Sequence, residues 1–281
     1  MIRRNILLLL LISILTLLYL SFQSGKPVEK PSRGFQISMP QNYNKAISLP
    51  LIILLPGYHK DNTYLAENLF KNKNSQENYI VVTANATKDR LGNYFWNSKA
   101  ACCNFFKSRV DDSKYLHELT KYLLAEYKVD RDRVYMLGHS NGGFMALNMA
   151  CQKESPYAGI ISFAGAGNLE LKPCQNNTKT SLLLIHGTSD STINYKGGDI
   201  QGVKYTSAQE TTQQWLKLKN CDSTPEISNS DFIDNLSGNE TTKNAYRCVN
   251  SETVNLWSIE NGTHAPQFNE SFTKNILNFF S

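Results

Sequence analysis

Six short apolar runs, each closed by glycine or another small or turn-forming residue, recur along this 281-residue chain and alternate with amphipathic stretches. Leu49–Leu55 ends at Pro56-Gly57, Tyr79–Thr83 at Ala84-Asn85, and Arg133–Leu137 at Gly138. Gly159–Phe163 ends at Ala164-Gly165, Ser181–Ile185 at His186-Gly187, and Thr253–Ile259 near Gly262. Several are continuous rather than alternating in polarity, as strands buried on both faces must be. Between them lie candidate helices. Asp111 is placed to cap one that runs to about Tyr127, with Leu116, Leu119 and Leu123 on a single stripe. Asn141–Gln152, Ser207–Leu218 and Ser271–Phe280 supply three more. This alternation predicts an α/β fold: a mostly parallel central sheet with helices on both faces. Residues 84–110 read as a long loop, and 220–252, polar and rich in Asn and Ser, as an excursion from the sheet.

An apolar share of 41% and a charged share of 19% exclude a disordered chain and a multi-span membrane protein. The net charge is +5, and Arg3 and Arg4 supply two of those charges. So weak and scattered a surplus excludes a nucleic-acid partner. The N-terminus is different in kind. Met1 to Asn5 is a short basic head, and Ile6 to Leu20 is almost entirely Leu and Ile. Residues 1–24 therefore read as a secretory signal peptide or a signal anchor, and 25–33 as a linker. Ser21 and Ser24 offer small residues for cleavage but no A-x-A site, so both outcomes stand. The expected location is secreted or periplasmic, with a membrane partner only if residues 6–22 remain as an anchor. Residues 34–281 form one catalytic domain.

Six cysteines follow the export signal, at 102, 103, 151, 174, 221 and 248. An even count in that setting predicts disulfides. The most local pairing joins Cys221 to Cys248 and Cys151 to Cys174, leaving Cys102 and Cys103 as a vicinal bridge or as thiols. No C-x-x-C spacing occurs, so no metal site is expected.

In open α/β sheets ligands bind at the carboxyl ends of the strands, so the residues there are the first candidates for chemistry. The third run ends in Gly138-His139-Ser140-Asn141-Gly142, followed by Gly143. This is G-x-S-x-G between a strand and a helix, the setting in which a sharp turn lifts a serine above the sheet. A serine hydroxyl is a poor nucleophile at neutral pH and needs a histidine held by a carboxylate. On such folds the chain order is Ser, then acid, then His. Only His186 and His264 follow Ser140, and His186 precedes the candidate acid. The order therefore selects His264, in Asn261-Gly262-Thr263-His264, as the base. Asp190, in His186-Gly187-Thr188-Ser189-Asp190, is the acid, with Asp199 its nearest rival. The oxyanion donors are predicted to be the backbone N–H of Asn141 and that of Tyr58, the latter in Pro56-Gly57-Tyr58-His59 after the first run. Tyr58, His139 and Trp96 are the candidate pocket residues, with Phe105 and Phe106 nearby.

These residues stand in a wider series. Val129-Asp130-Arg131-Asp132-Arg133-Val134-Tyr135 runs into Gly-His-Ser-Asn-Gly-Gly. Trp96, Cys102-Cys103 and Arg109-Val110-Asp111-Asp112 precede it. His186-Gly187-Thr188-Ser189-Asp190, Tyr195-Lys196-Gly197-Gly198, Trp215, Asn220-Cys221, Cys248 and Trp257 through His264 follow. Over residues 34–281 the chain resembles the secreted serine esterases of the polyhydroxybutyrate depolymerase and feruloyl esterase type. That resemblance implies an α/β-hydrolase fold, a Ser140-Asp190-His264 triad and no cofactor. It also implies an ester substrate: hydroxyalkanoate oligomers or polyester, or feruloyl or acetyl esters of plant polysaccharide. The chain departs from the group's usual His-Gly with Pro56-Gly57. A peptidase of the same fold and a non-catalytic binding protein are the rival expectations.

Overall fold

Leu49–Leu55 (β2) is apolar at every position but Pro50 because both its faces are covered. Leu51, Ile53 and Leu55 point into one core cluster, and Ile52 and Leu54 into a second on the opposite face. Every one of these five side chains is fully buried, and each such burial contributes about 1.5–3 kcal/mol. The computed structural model describes residues 27–59, 65, 78–99, 101–153, 155–167 and 180–280. The expected signal or anchor over residues 1–24, and Cys174, lie outside the described residues. Among the described residues no helix is long and apolar enough to cross a membrane.

The other strands are β1 (Phe35–Ser38), β3 (Ile80–Ala84), β4 (Thr87–Lys88), β5 (Tyr94–Phe95), β6 (Val129–His139), β7 (Gly159–Phe163) and β8 (Ser181–Gly187). They continue with β9 (Gly198–Ile200), β10 (Val203–Tyr205), β11 (Glu226–Ser230), β12 (Thr241–Arg247) and β13 (Thr253–Ile259). The described helices are α1 (Asp112–Glu126), α2 (Asn141–Ala150), α3 (Ala208–Lys219) and α4 (Glu270–Phe279). One nine-stranded sheet runs in the order β1-β3-β2-β6-β7-β8-β13-β12-β11. Six consecutive strands, from β3 to β13, are parallel; β1 and β12 run against them, and β11 pairs antiparallel with β12. This is the predicted α/β architecture, and all six predicted strands are present.

The helix caps follow the sequence signals. Asp111 accepts from the Lys114 N–H at the start of α1. Ser207 and Glu210 form a reciprocal capping box on α3. Three readings are corrected. The polar segment 220–252 is not an excursion but contributes β11 and β12, two antiparallel strands at one edge of the sheet. Their side chains are mostly exposed or half-buried, so no apolar run marks them, and backbone pairing with a Cys221–Cys248 disulfide holds them. Residues 84–110 contain the short ribbon β4–β5. The linker boundary at 33 also moves. Arg33 donates to Asp112, whose side chain is fully buried, and its guanidinium lies 4.2 Å from the Tyr115 ring centroid. The same carboxylate accepts from the Asn97 N–H at 2.6 Å and the Thr87 hydroxyl at 3.4 Å. Arg33 is thus part of the domain. Cys102 and Cys103 form the vicinal bridge, and Cys151 is disulfide-bonded as well.

Candidate active site

Strand β6 and helix α2 meet at Ser140, which has φ 54° and ψ −121°. A non-glycine residue pays for that left-handed conformation in strain, and such strain concentrates at functional turns. Space explains why the neighbours are glycines. A Cβ on Gly138 would strike the Gly142 carbonyl, and one on Gly142 would strike the Leu55 carbonyl. Ser140 occupies the N-cap position of α2 yet makes no side-chain cap hydrogen bond. Its backbone is pinned instead, with its N–H donating to Phe163 O at 2.8 Å.

The loops after β8 and β13 are zipped together. Thr188 N–H donates to Ile259 O at 2.9 Å and Ser189 N–H to Gly262 O at 3.0 Å. Asn261 N–H donates to the Thr188 hydroxyl at 2.9 Å. A Cβ on Gly187 would strike the Gly262 carbonyl, so the two backbones touch. Across this zipper His264 Nδ1 lies 2.7 Å from Asp190 Oδ2. An ionised carboxylate only accepts, so Nδ1 carries the proton and Nε2 is left as the basic nitrogen. The Asp190 side chain is fully buried, that of His264 19% exposed. Burial alone would push the Asp190 carboxyl up. Hydrogen bonds from His186 and His264, the charge of His264 and the Ile193 N–H outweigh it and hold the group well below the usual carboxylate range. The rival Asp199 accepts from the Gly202 N–H in its own hairpin turn.

The elbow and the base loop are also joined. His139 Nε2 donates to the His264 carbonyl at 3.0 Å, and the two rings lie 5.0 Å apart. This corrects the expectation for His139: with 2% of its surface exposed, its ring braces the His264 loop rather than lining an open pocket. Trp96 is corrected in the same way. It is fully buried, stacks on Tyr115, and donates from Nε1 to the Pro56 carbonyl at 2.9 Å. Tyr58 is half-buried. Its hydroxyl donates to Asp89 Oδ2 at 2.8 Å, and its ring meets Phe105 edge-on at 5.3 Å. Burial, then the bond to Asp89, pushes this phenol up.

The loop carrying Tyr58 lies against the elbow. A Cβ on Gly57 would sit 3.1 Å from the Ser140 Cβ. The Asn141 side chain, fully buried, ties this region together. Its Oδ1 accepts from Trp96 N–H at 2.6 Å, and its Nδ2 donates to Trp96 O at 3.0 Å and Cys102 O at 2.9 Å. A hydrogen-bonded circuit thus runs from the residue after Ser140, through Trp96, to the loop that faces Ser140. Sequence reasoning missed both this use of the Asn141 amide and His186, whose Nε2 lies 3.2 Å from Asp190 Oδ2. Chain order set His186 aside as a base, and its spacing from Asp190, which crosses from a strand into a loop, carried no signal of this contact. Among the described residues no group of three or more His, Cys, Asp or Glu side chains is arranged to hold a metal.

A family model described as phospholipase/carboxylesterase matches residues 44–229, a span that includes Ser140 and Asp190 and ends before His264. Feruloyl esterase B of Piromyces equi is 26% identical over 184 residues, 60% of this chain and 31% of that protein. The acyl-protein thioesterase 1 homolog 2 of Dictyostelium discoideum is 26% identical over 140 residues, 46% of this chain and 63% of that one. The chain therefore spans less than two thirds of either curated relative. An acetyl xylan esterase from Aspergillus awamori superposes with a TM-score of 0.62 at 14% identity, covering 89% of this chain and 94% of that one. At that identity the likeness shows the α/β-hydrolase fold.

Proposed function

The chain belongs to the phospholipase/carboxylesterase family, and on that premise we propose that it hydrolyses carboxylic esters through an acyl-enzyme on Ser140. Ser140 Oγ attacks the ester carbonyl carbon, and His264 Nε2 takes the hydroxyl proton. Asp190 holds the imidazole in the tautomer that leaves Nε2 basic. The carbonyl oxygen becomes an oxyanion that accepts from the Asn141 and Tyr58 N–H groups. Collapse expels the alcohol, which leaves with the proton from His264. Water then attacks the acyl-enzyme with His264 again as base, releasing the acid and restoring Ser140. The observation that carries this reading is the 2.7 Å bond between His264 and a buried, ionised Asp190. The strained, uncapped Ser140 next to His139 supports it.

For the substrate, the sequence kinship with a feruloyl esterase favours aromatic acyl or acetyl esters of plant polysaccharide over hydroxyalkanoate oligomers. Disulfides at Cys102–Cys103 and Cys221–Cys248 support an oxidising, extracytoplasmic setting. Ser140→Ala is expected to abolish turnover of p-nitrophenyl butyrate, and near-normal activity in that variant rejects the mechanism. Methyl ferulate turned over faster than a hydroxybutyrate trimer supports the substrate class, and the reverse order overturns it.

A further inference from the structure

Asp190 holds more donors than a two-partner acid needs. Its Oδ1 accepts from the Thr192 N–H at 2.8 Å and the Ile193 N–H at 2.9 Å. Its Oδ2 faces two imidazoles, His264 at 2.7 Å and His186 at 3.2 Å. Three hydrogen bonds and one close imidazole nitrogen therefore surround the carboxylate. His186 closes β8 and has 2% of its surface exposed. Its Nε2 is also 2.8 Å from the Ile193 carbonyl. A carbonyl only accepts, so this nitrogen carries a proton, which it gives to Ile193 O while standing 3.2 Å from Asp190 Oδ2. The His186 ring is itself held, edge-on to Tyr195 at 5.5 Å. The Tyr195 hydroxyl is tied to Ser258 at 2.6 Å and to Gln209 at 2.9 Å.

We propose that His186 is a positioning residue for the proposed triad: a second, permanently N–H-donating imidazole that fixes the Asp190 carboxylate through the oxygen that receives His264. The inference rests on the serine-esterase reading of the site. Two backbone donors fix Oδ1 but leave the carboxylate able to swing about its Cβ–Cγ bond. A second imidazole N–H close to Oδ2, beside the one from His264, removes that freedom. With His186 absent, the second direction of Oδ2 would be buried and empty, a costly arrangement for a charged acceptor. The carboxylate would turn to relieve it and carry His264 out of line. A misplacement of about 1 Å at such a site costs on the order of a hundredfold in rate.

The test compares His186→Leu, which has no donor, with His186→Gln, whose amide N–H can occupy the Nε2 position. Both are measured on p-nitrophenyl butyrate, with the parent and Ser140→Ala alongside. The downfield proton resonance of His264 Nδ1–H is followed by NMR in each. The expected result is a fall in kcat of about 10–100-fold for Leu with KM within about threefold. The resonance is lost or broadened in Leu, and kcat and resonance are both largely restored in Gln. A Leu variant with the parent's kcat overturns the inference, and so do Leu and Gln variants equally impaired with the parental resonance intact. An active Ser140→Ala variant instead sinks the esterase reading itself, while the resonance still reports whether His186 orders the Asp190–His264 pair.

Discussion

Asn141→Ala tests the hydrogen-bonded circuit around Ser140 without touching the backbone N–H proposed as an oxyanion donor. The substitution deletes three bonds, to the Trp96 N–H, the Trp96 carbonyl and the Cys102 carbonyl, from a residue with no exposed surface. The Cys102 carbonyl keeps the Ser98 hydroxyl at 2.8 Å, but the Trp96 N–H and carbonyl lose these bonds, each at a cost of about 1–3 kcal/mol. With some relaxation around the smaller side chain, the total loss is about 3–5 kcal/mol. For a domain of this size each kcal/mol lowers Tm by about 2–4 °C, so the fall is roughly 6–20 °C. Thermal unfolding followed by circular dichroism reads it directly. Turnover of p-nitrophenyl butyrate, measured well below the lowered Tm, falls as well, because Trp96 is released from one end of its span to Pro56 O. Asn141→Asp offers no rescue. It keeps the acceptor for Trp96 N–H but turns its second oxygen toward two carbonyl oxygens, so it is at least as unstable as the alanine variant. An alanine variant that melts within about 2 °C of the parent refutes the reasoning, since the three bonds would then contribute almost nothing.

Two further outcomes follow from the structure. The Asp190 carboxyl is depressed in the folded state, so its contribution to stability is present above the unfolded carboxylate range near pH 3.9 and is lost as pH falls through the lower folded value. Asp190→Asn is expected to flatten the acid limb of stability below about pH 4, and urea titrations at stepped pH that leave the limb unchanged would contradict this. The Cys221→Ser/Cys248→Ser double variant removes a bridge across 27 residues and is expected to cost about 3 kcal/mol. Limited proteolysis should then cut first between residues 222 and 247, and a first cut elsewhere would show that backbone pairing alone holds that edge.

The parallel middle of the sheet was legible because burial on both faces demands continuous apolar runs, and β2, β7 and β13 begin and end where those runs do. The turn at Ser140 and the pairing of Asp190 with His264 were legible because a strand-to-helix G-x-S-x-G and a fixed chain order leave few choices. Strands β11 and β12 were not, since exposed strands paired through the backbone need no particular side chains. Four charged or polar residues at the head of β6, Asp130 to Arg133, likewise hid its true start at Val129. The same limit explains Trp96 and His139. Composition marks an aromatic ring near a site, but whether it faces a ligand or holds a carbonyl depends on partners far away in sequence: Pro56 for one, His264 for the other. The closeness of His186 to Asp190 was not legible, because chain order tests a residue for one task only.

The carboxylate of Asp112 is a knot in which three strands of thread cross: the incoming chain at Arg33, the hairpin at Thr87, and the bend at Asn97. Asn97 is the immediate neighbour of Trp96, so whatever tugs on the chain ahead of position 33 is felt one residue from the indole that steadies Pro56. Anyone trimming, tagging or fusing this polypeptide at its front should therefore leave Arg33 and the buried Pro31 in place, and join ahead of them near the exposed Pro27.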